Sequence, residues 1–438
     1  MKRNRNVKVS KWKIVVSVIV LCLLAVALIF ADQIEVKIGY NQAKAKHQTS
    51  KDSIESSAYY VSYIDVGQGS SSFVKLPDGK TLLIDGGDIE YGETVGKFLR
   101  NHNVSTIDYL VATHADSDHI GGLNYVLENF EIKSIYRPLQ ISGTNGSENV
   151  FQASDYEDLA DLYDFLQTST GGRSKVCKIT TSVYARFIKN IYTETYSDNG
   201  IEKQSSVTVF YDGLVIGGDN YEIEFFAPLK REISGDFVLV SDYATKTDGY
   251  ATQGFGASST SSNDNSAIFT VTCFDDKFLF MGDSRYTESG STKTGFSEFE
   301  FINSLKDSEK LELAKVDVLL LAHHGSKYST STELLNIVLP RFVVVSAGEN
   351  NKYGHPASET LERVAQTTSL EQDYLLQTYI NGDIEFASID GTLQYSLDKA
   401  EVKQKLNISF RLLCVIIAGS VISFVLSIRP RRQRKSRR

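Results

Sequence analysis

A chain of 438 residues has room for one large or two ordinary domains, and its 46 basic and 54 acidic side chains leave a net charge of −8. Fourteen of the basic residues lie in two terminal stretches without acid, so the segment from 14 to 408 keeps 32 basic against 54 acidic residues, a net of −22. A body that acidic excludes non-specific capture of polyanions by its global field. Of the four cysteines, Cys22, Cys177, Cys273 and Cys414, none forms a metal motif, and Cys177 and Cys273 allow at most one disulfide outside the apolar segments.

Ile14 to Ala31 is an uncharged run of 18 residues behind Lys2, Arg3, Arg5, Lys8, Lys11 and Lys13, and Leu412 to Ile428 is a second, of 17, ahead of a basic tail. Each is near the ~17–25 residues that cross a hydrocarbon core, and basic flanks stay in the cytoplasm. The expectation is a cell-membrane protein with cytoplasmic tails at 1–13 and 429–438 and transmembrane helices at 14–31 and 412–428. Everything between them is then extracellular. The first run is longer than the ~7–15 apolar residues of a signal-peptide core, which favours an uncleaved anchor. Residues 32–58 read as a polar stalk, 59–398 as the folded domain and 399–411 as a linker.

Within the domain, Tyr60 to Val66 is an expected strand, followed by the tight turn Gly67-Gln68-Gly69 and a second strand, Ser70 to Leu76. A hairpin then leads to Thr81-Leu82-Leu83-Ile84-Asp85, which ends on a carboxylate before a glycine pair. Residues 91–101 predict a helix. Ile107 to Thr113 is a short apolar strand, and Gly122 to Phe130 carries apolar residues at 123, 126, 127 and 130, one helix face. Between them stand His114, Asp116, Asp118 and His119, four potential metal ligands within six residues. A helix cap would need Asp118 alone; two imidazoles and a second carboxylate point to a cation held at a strand-to-helix junction.

Residues 139–210 are polar and predict an insertion covering the active face, with a helix at Leu159 to Leu166. Basic residues Arg173, Lys175, Lys178, Arg186 and Lys189 cluster there near Tyr184 and Tyr192. A mild charge run is ordinarily a solvated face; the functional alternative makes Arg173, Lys175, Lys178 and Tyr184 substrate contacts, pairing with phosphate and stacking on rings. Further on, Tyr221 to Pro228 alternates as a strand, 241–263 is a polar loop, and a hairpin about Asp275-Asp276 ends on Asp283. A helix is expected at 296–314 and at Ser358 to Ala365. Val316 to Ala322 delivers His323, His324, Gly325 and Ser326, and Phe342 to Ala347 leads to His355-Pro356. Five of the seven histidines, 114, 119, 323, 324 and 355, thus fall just beyond strands, where ligands gather in layered α/β folds.

This series resembles the metallo-β-lactamase superfamily, whose His-x-His-x-Asp-His motif stands here as His114-Ala115-Asp116-Ser117-Asp118-His119. With Asp65-Val-Gly-Gln-Gly69, Asn265-Ser266, Gly282-Asp283, His323-His324-Gly325-Ser326 and Tyr353-Gly-His-Pro356, it is similar to the extracellular hydrolase domains of the ComEC competence-protein family. The resemblance implies an αββα sandwich, here with a transmembrane helix at each end. It implies two divalent metal ions, Zn²⁺ or Mn²⁺, on His114, Asp116, Asp118, His119, Asp283 as bridge, and one of His323 and His324. Asp85 would orient a ligand histidine, and Asn265 and Ser266 would hydrogen-bond beside the site. His355 and the remaining histidine of the doublet would protonate the leaving oxygen or grip phosphate, with Ser326 facing substrate. Asp116 in place of an imidazole adds a hard oxygen ligand and makes Mn²⁺ more competitive. Two departures stand out: two spans give no counterpart to the many-pass channel of that family, and Ser70 occupies an acidic position of its glycine turn.

The function so implied is a membrane-anchored, metal-dependent phosphodiesterase or nuclease acting on DNA, with Asp118, His324 and His355 in the chemistry and no nucleotide cofactor. The alternatives are hydrolysis of a wall or membrane phosphodiester of teichoic-acid type, and a non-catalytic metal-binding surface receptor.

Overall fold

The apolar runs become two stacked sheets in a computed structural model, which describes residues 47–138, 181–228, 265–286, 297–307, 314–367 and 374–399, with short pieces at 141–142, 178–179, 230–233, 236–239, 262–263 and 369–371. The expected tails, transmembrane helices, the first part of the stalk, Arg173, Lys175 and the helix at Leu159 to Leu166 lie outside the described residues. Among the described residues no helix is long and apolar enough to cross a membrane.

Helix α1 (Lys51–Glu55) precedes strands β1 (Tyr60–Tyr63), β2 (Ser72–Lys75) and β3 (Thr81–Ile84). Helix α2 (Gly92–Asn101) leads into β4 (Thr106–Val111); a helical turn, α3 (Ser117–Ile120), and helix α4 (Leu123–Asn129) lead into β5 (Glu131–Arg137). Helix α5 (Ser182–Thr193) and β6 (Ser206–Val209) follow. Then come β7 (Val215–Gly218), β8 (Tyr221–Ala227), β9 (Ile268–Cys273), β10 (Asp276–Phe280) and α6 (Ser297–Asp307). The last elements are β11 (Val318–Leu320), α7 (Thr332–Val338), β12 (Phe342–Val345), α8 (Ser358–Ala365), β13 (Leu375–Gln377), β14 (Ile384–Ile389) and β15 (Thr392–Leu397).

The first sheet runs β6-β5-β4-β3-β2-β1-β14-β15 and the second β7-β8-β9-β10-β11-β12-β13. Strands β3 to β6 pair in parallel, as do β10 to β13. Side chains alternate across each strand. Val61, Val74, Leu82 and Val111 therefore meet Ile223, Phe225, Phe269 and Val344 between the sheets. The alternate residues Tyr60, Phe73, Leu83 and Leu110 pack under α2, α4 and α5 against Leu99, Leu123 and Phe187. On the outer face of the second sheet, Phe301 of α6 lies 5.5 Å, ring to ring, from Phe226. This is the expected helix–sheet–sheet–helix order, and burial on both faces explains why the strands read as nearly unbroken apolar runs.

Two boundaries differ from expectation. Residues 47–58 are not stalk: Tyr395 N–H donates to the His47 carbonyl at 2.9 Å, Thr49 N–H to the Tyr395 carbonyl at 2.8 Å, and Ile54 is fully buried in the helix-side core. Residues 181–210 do not cover the active face. Helix α5 buries Tyr184, Phe187, Ile188 and Ile191, and β6 is an edge strand beside β5. Tyr184, expected to touch substrate, is a core residue instead; its ring stacks 6.0 Å from Phe187 and its hydroxyl lies 3.2 Å from Arg137 Nη1. Lys178 lies in a two-residue strand paired with Ile141–Ser142, and Arg186 is engaged by Glu128.

Replacing a buried isoleucine by alanine removes transfer energy and leaves a cavity, together about 2–5 kcal/mol. Ile54→Ala should lower the urea unfolding free energy by about 3 kcal/mol. A change under about 0.5 kcal/mol, the norm for exposed positions, would return residues 47–58 to the stalk.

Candidate metal centre

The site residues lie on segments that follow strands with at least one parallel neighbour in their sheet. Asp85 follows β3, His114 follows β4, Asp283 follows β10 and the His323–His324 doublet follows β11. Because the two sheets face each other, these ends open onto one crevice. The cleft is lined by Ser70, Asp85, Thr113, His119, Asp283 and His324 and encloses about 10 Å³, room for a water or an ion at its floor.

Asp283 stands in the middle and is 3% exposed. Its Oδ1 lies 3.1 Å from His119 Nε2 and 3.7 Å from His324 Nε2. Its Oδ2 lies 3.5 Å from His323 Nε2 and 3.7 Å from His114 Nε2. One carboxylate thus faces two pairs of imidazoles, one pair per oxygen. Asp116 extends the Oδ2 side, 3.8 Å from His114 Nε2, and Asp118 extends the other, 3.3 Å from His324 Nε2. Asp118 does not cap a helix; Asp116 holds the N-cap position of α3, and it too makes no side-chain cap bond.

The imidazoles are oriented from behind. His119 Nδ1 donates to Asp85 Oδ2 at 2.7 Å, and Asp85 is itself fixed by Thr113, whose N–H and hydroxyl donate at 2.8 and 2.7 Å. His324 Nδ1 donates to the Ser346 carbonyl at 2.9 Å. A carbonyl can only accept, so His324 carries its proton on Nδ1 and presents Nε2 to the cleft. His119 is set the same way, and the two Nε2 atoms stand 3.4 Å apart. Two lone pairs at that distance repel unless a proton or a cation lies between them; the edge of a tetrahedron with ~2.0–2.1 Å bonds has about this length.

The backbone is forced to achieve this. Asp85, His323 and His324 have φ of 56°, 52° and 55°, in the left-handed region that side chains disfavour, at a cost of order 1–3 kcal/mol each. Gly325 follows at φ 81°, and a Cβ there would lie 2.7 Å from Pro356 Cβ. Opposite, a Cβ on Gly69 would lie 2.5 Å from the Asp118 carbonyl, so only glycine lets that turn buttress the Asp118 loop. Ser70 N–H donates to the same carbonyl at 3.1 Å, and Ser346 Oγ to the Gly69 carbonyl at 2.8 Å.

Charges within the crevice are strongly coupled. Burial alone would raise the Asp118 carboxyl, yet its hydrogen bond to His324 and the charges of His119 and His324 hold it at about 2. Burial likewise opposes ionisation of Asp283, and the surrounding histidines overcome it, keeping it well below the usual range. Burial disfavours the charged forms of His119 and His324, but Asp283 with Asp85 or Asp118 raises both. His355 goes the other way, pushed down to about 4 by burial and by His323 and His324. It is half-buried 5.4 Å, ring to ring, from His323, and Tyr353 stacks on it at 5.8 Å.

The donor set fits divalent cations. His114 Nε2 and Asp283 Oδ1 are buried without a hydrogen-bond partner, an expensive state that a cation relieves. His114, His119 and Asp283, and separately Asp118, His119 and His324, bring their ligand atoms within 4.8 Å of one another. Asn265 and Ser266 are fully buried nearby, and Ser266 Oγ accepts the Asp283 N–H at 3.0 Å. Ser326 does not face the cleft: it is 3% exposed, and its hydroxyl accepts the Tyr328 N–H at 3.4 Å. Thr113 and Ser346 were missed from the sequence. Their positions beside a ligand and at a strand end were the only signals, and Ser346 acts through its backbone carbonyl.

The family model of the metallo-β-lactamase superfamily, whose members are in general hydrolases, matches residues 64–175, the stretch that carries β2 to β5 and the His114–His119 run. In sequence the chain is related to competence proteins. It is 25% identical over 343 residues to ComE operon protein 3 of Bacillus subtilis, covering 74% of this chain and 32% of that protein. It is 39% identical over 69 residues to Competence protein ComA of Neisseria gonorrhoeae, covering 16% and 9%. The chain therefore spans about a third or less of the length of these relatives. Among solved structures, the metallo-β-lactamase fold protein YhfI of Bacillus subtilis aligns with a TM-score of 0.34 at 10% identity, over 77% of this chain and 100% of that one.

Partners that orient a ligand histidine typically change metal affinity 10–100-fold. Asp85→Asn should weaken Zn²⁺ binding by about that factor in competition with a chromophoric chelator, with the circular dichroism unchanged. Unaltered affinity would remove Asp85 from the site.

Proposed function

We propose that the chain is a metal-dependent phosphodiesterase that hydrolyses DNA at a dinuclear centre bridged by Asp283. The observation that carries this is the division of Asp283: Oδ2 turns to His114 and His323, Oδ1 to His119 and His324. In this reading Asp116 completes the first pole and Asp118 the second. Divalent cations held by these residues would activate water for attack and offset the charge that builds on the phosphoryl oxygens.

The chain's own residues do the rest. Asp85 and the Ser346 carbonyl keep His119 and His324 in the tautomer that leaves Nε2 free. Asp118, ionised at neutral pH because it titrates at about 2, is an acceptor that aligns the attacking water. His355, neutral at that pH because it titrates at about 4, offers one N–H to a non-bridging phosphate oxygen or the leaving oxygen. As a neutral ring it grips phosphate rather than serving as a standing acid.

DNA is favoured as substrate by relatives named for competence and recombination, including Recombination protein 2 of Haemophilus influenzae, 32% identical over 92 residues (21% of this chain, 10% of that protein). The acidic body means that the cations and local basic groups must supply the attraction. The membrane anchoring at 14–31 and 412–428, with the catalytic domain outside the cell, is part of the proposal and rests on apolar length and basic flanks.

The test is hydrolysis of bis-p-nitrophenyl phosphate and of plasmid DNA by the full chain with Mn²⁺ or Zn²⁺. Both should be cleaved, EDTA should stop both, and Asp118→Ala should lower the rate by at least about 10³-fold while the protein stays folded. Turnover of the small diester without nicking of DNA would move the substrate to wall or membrane phosphodiesters. Metal uptake with no turnover of either would make the chain a receptor. Retained activity in Asp118→Ala would overturn the site.

A further inference from the structure

His102, one of the two histidines away from the cleft, follows α2, and its side chain is 6% exposed. Its ring packs 4.1 Å from Phe98 and also meets Tyr60 and Phe73 on the helix side of the first sheet. Nδ1 donates to the Phe98 carbonyl at 2.8 Å, which leaves Nε2 as the free position of the neutral ring. Nε2 makes no hydrogen bond of good geometry, and although burial opposes its charged form, Glu385, the Phe98 carbonyl and Glu55 raise the imidazole above its ordinary value. It points at Glu55 Oε1, 3.2 Å away on α1, and Glu385 Oε1, 3.6 Å away on β14.

These three atoms lie within 4.8 Å of one another, in the same relation as the triads of the main cleft, from which the cluster is separate. A divalent ion with ~2.0–2.2 Å bonds spaces its ligands by about 3.4 Å in a tetrahedron. Glu385 is 1% exposed and held by the hydroxyls of Ser62 and Ser396, which donate at 3.3 and 3.2 Å. Lys51 Nζ, 3.5 Å from Glu385 and 3.2 Å from Asp398, is the nearest cation, but it is 39% exposed and free to turn to Asp398. An open cleft of about 350 Å³, bordered also by Asp383 and Asp398, connects the cluster to solvent and leaves room for a water as fourth ligand. The surroundings remain acidic even with Lys51 counted.

We propose that Glu55, His102 and Glu385 form a separate divalent transition-metal site, of the Zn²⁺ class, that clasps the segment carrying α1 onto α2 and β14. Its ligands come from three distant stretches of chain, so occupancy is coupled to docking of α1 on the first sheet. The site does no chemistry on substrate.

The experiment is metal counting on the full chain, stripped with EDTA and equilibrated with Zn²⁺, for the parent, Glu55→Gln, His102→Gln and Asp118→Ala. Glu55→Gln is the control for folding, because the substitution is isosteric and the side chain is partly exposed. Both clasp variants should bind one Zn²⁺ fewer than the parent and keep diester hydrolysis within about twofold. Asp118→Ala should lose hydrolysis and metal at the main cleft yet keep the clasp ion, so the two sites fail independently. Zn²⁺ should also slow hydrogen exchange of the α1 amides in the parent and not in His102→Gln. Equal metal counts in the parent and both clasp variants would overturn the proposal and leave His102 as an imidazolium paired with the two glutamates.

Discussion

A single buried carboxylate organises the crevice. Asp283 is surrounded by four imidazole nitrogens at 3.1–3.7 Å, and neither oxygen can serve all of them. Burial opposes ionisation of Asp283, the imidazoles around it overcome that, and the carboxylate in turn raises His119 and His324, so protons and charge are shared among these groups. Replacing shared protons by divalent charge satisfies the same donors without asking any imidazole to be cationic. The rest of the architecture can be understood as holding those donors still.

That holding is mechanical as well as electrostatic. The left-handed backbone at Asp85, His323 and His324 is kept in place by turns that interlock across the two sheets. Gly69 rests on the Asp118 carbonyl, Ser346 reaches back to Gly69, and Gly325 fits against Pro356. The Ser346–Gly69 contact joins a loop of the second sheet to one of the first, and the other two lock neighbouring loops within a sheet. The crevice therefore loses its geometry if the sheets shift, and the aromatic stack from Phe210 through Phe225 and Phe269 to Phe280 resists such a shift between them.

Much of this was legible in the sequence because chemistry and punctuation coincided. Apolar strands ending on Asp85, His114, Asp283 and His323–His324 announced both the layers and the donors, and the His-x-Asp-x-Asp-His run was too dense to be a cap. What stayed hidden depended on tertiary partners. The β14–β15 hairpin was not anticipated: Glu385 occupies an inward position, which interrupts the apolar alternation, and it is tolerated only because Ser62, Ser396, Lys51 and His102 meet it. Residues 47–58 looked like a stalk because α1 is polar and buries one apolar side chain, Ile54. In α5 the buried residues at 184, 187, 188 and 191 follow a helical stripe, but the neighbouring basic residues drew Tyr184 toward substrate. Thr113 and Ser346 act through a hydroxyl and a carbonyl that composition cannot single out.

The division of Asp283 between two poles is the claim on which the functional account stands. Crystals of the full chain grown with Mn²⁺ and measured near the manganese absorption edge test it directly. The account predicts two anomalous peaks flanking the Asp283 carboxylate, one toward His114 and one between His119 and His324. A single peak there, or none, would contradict a centre built on a bridging carboxylate.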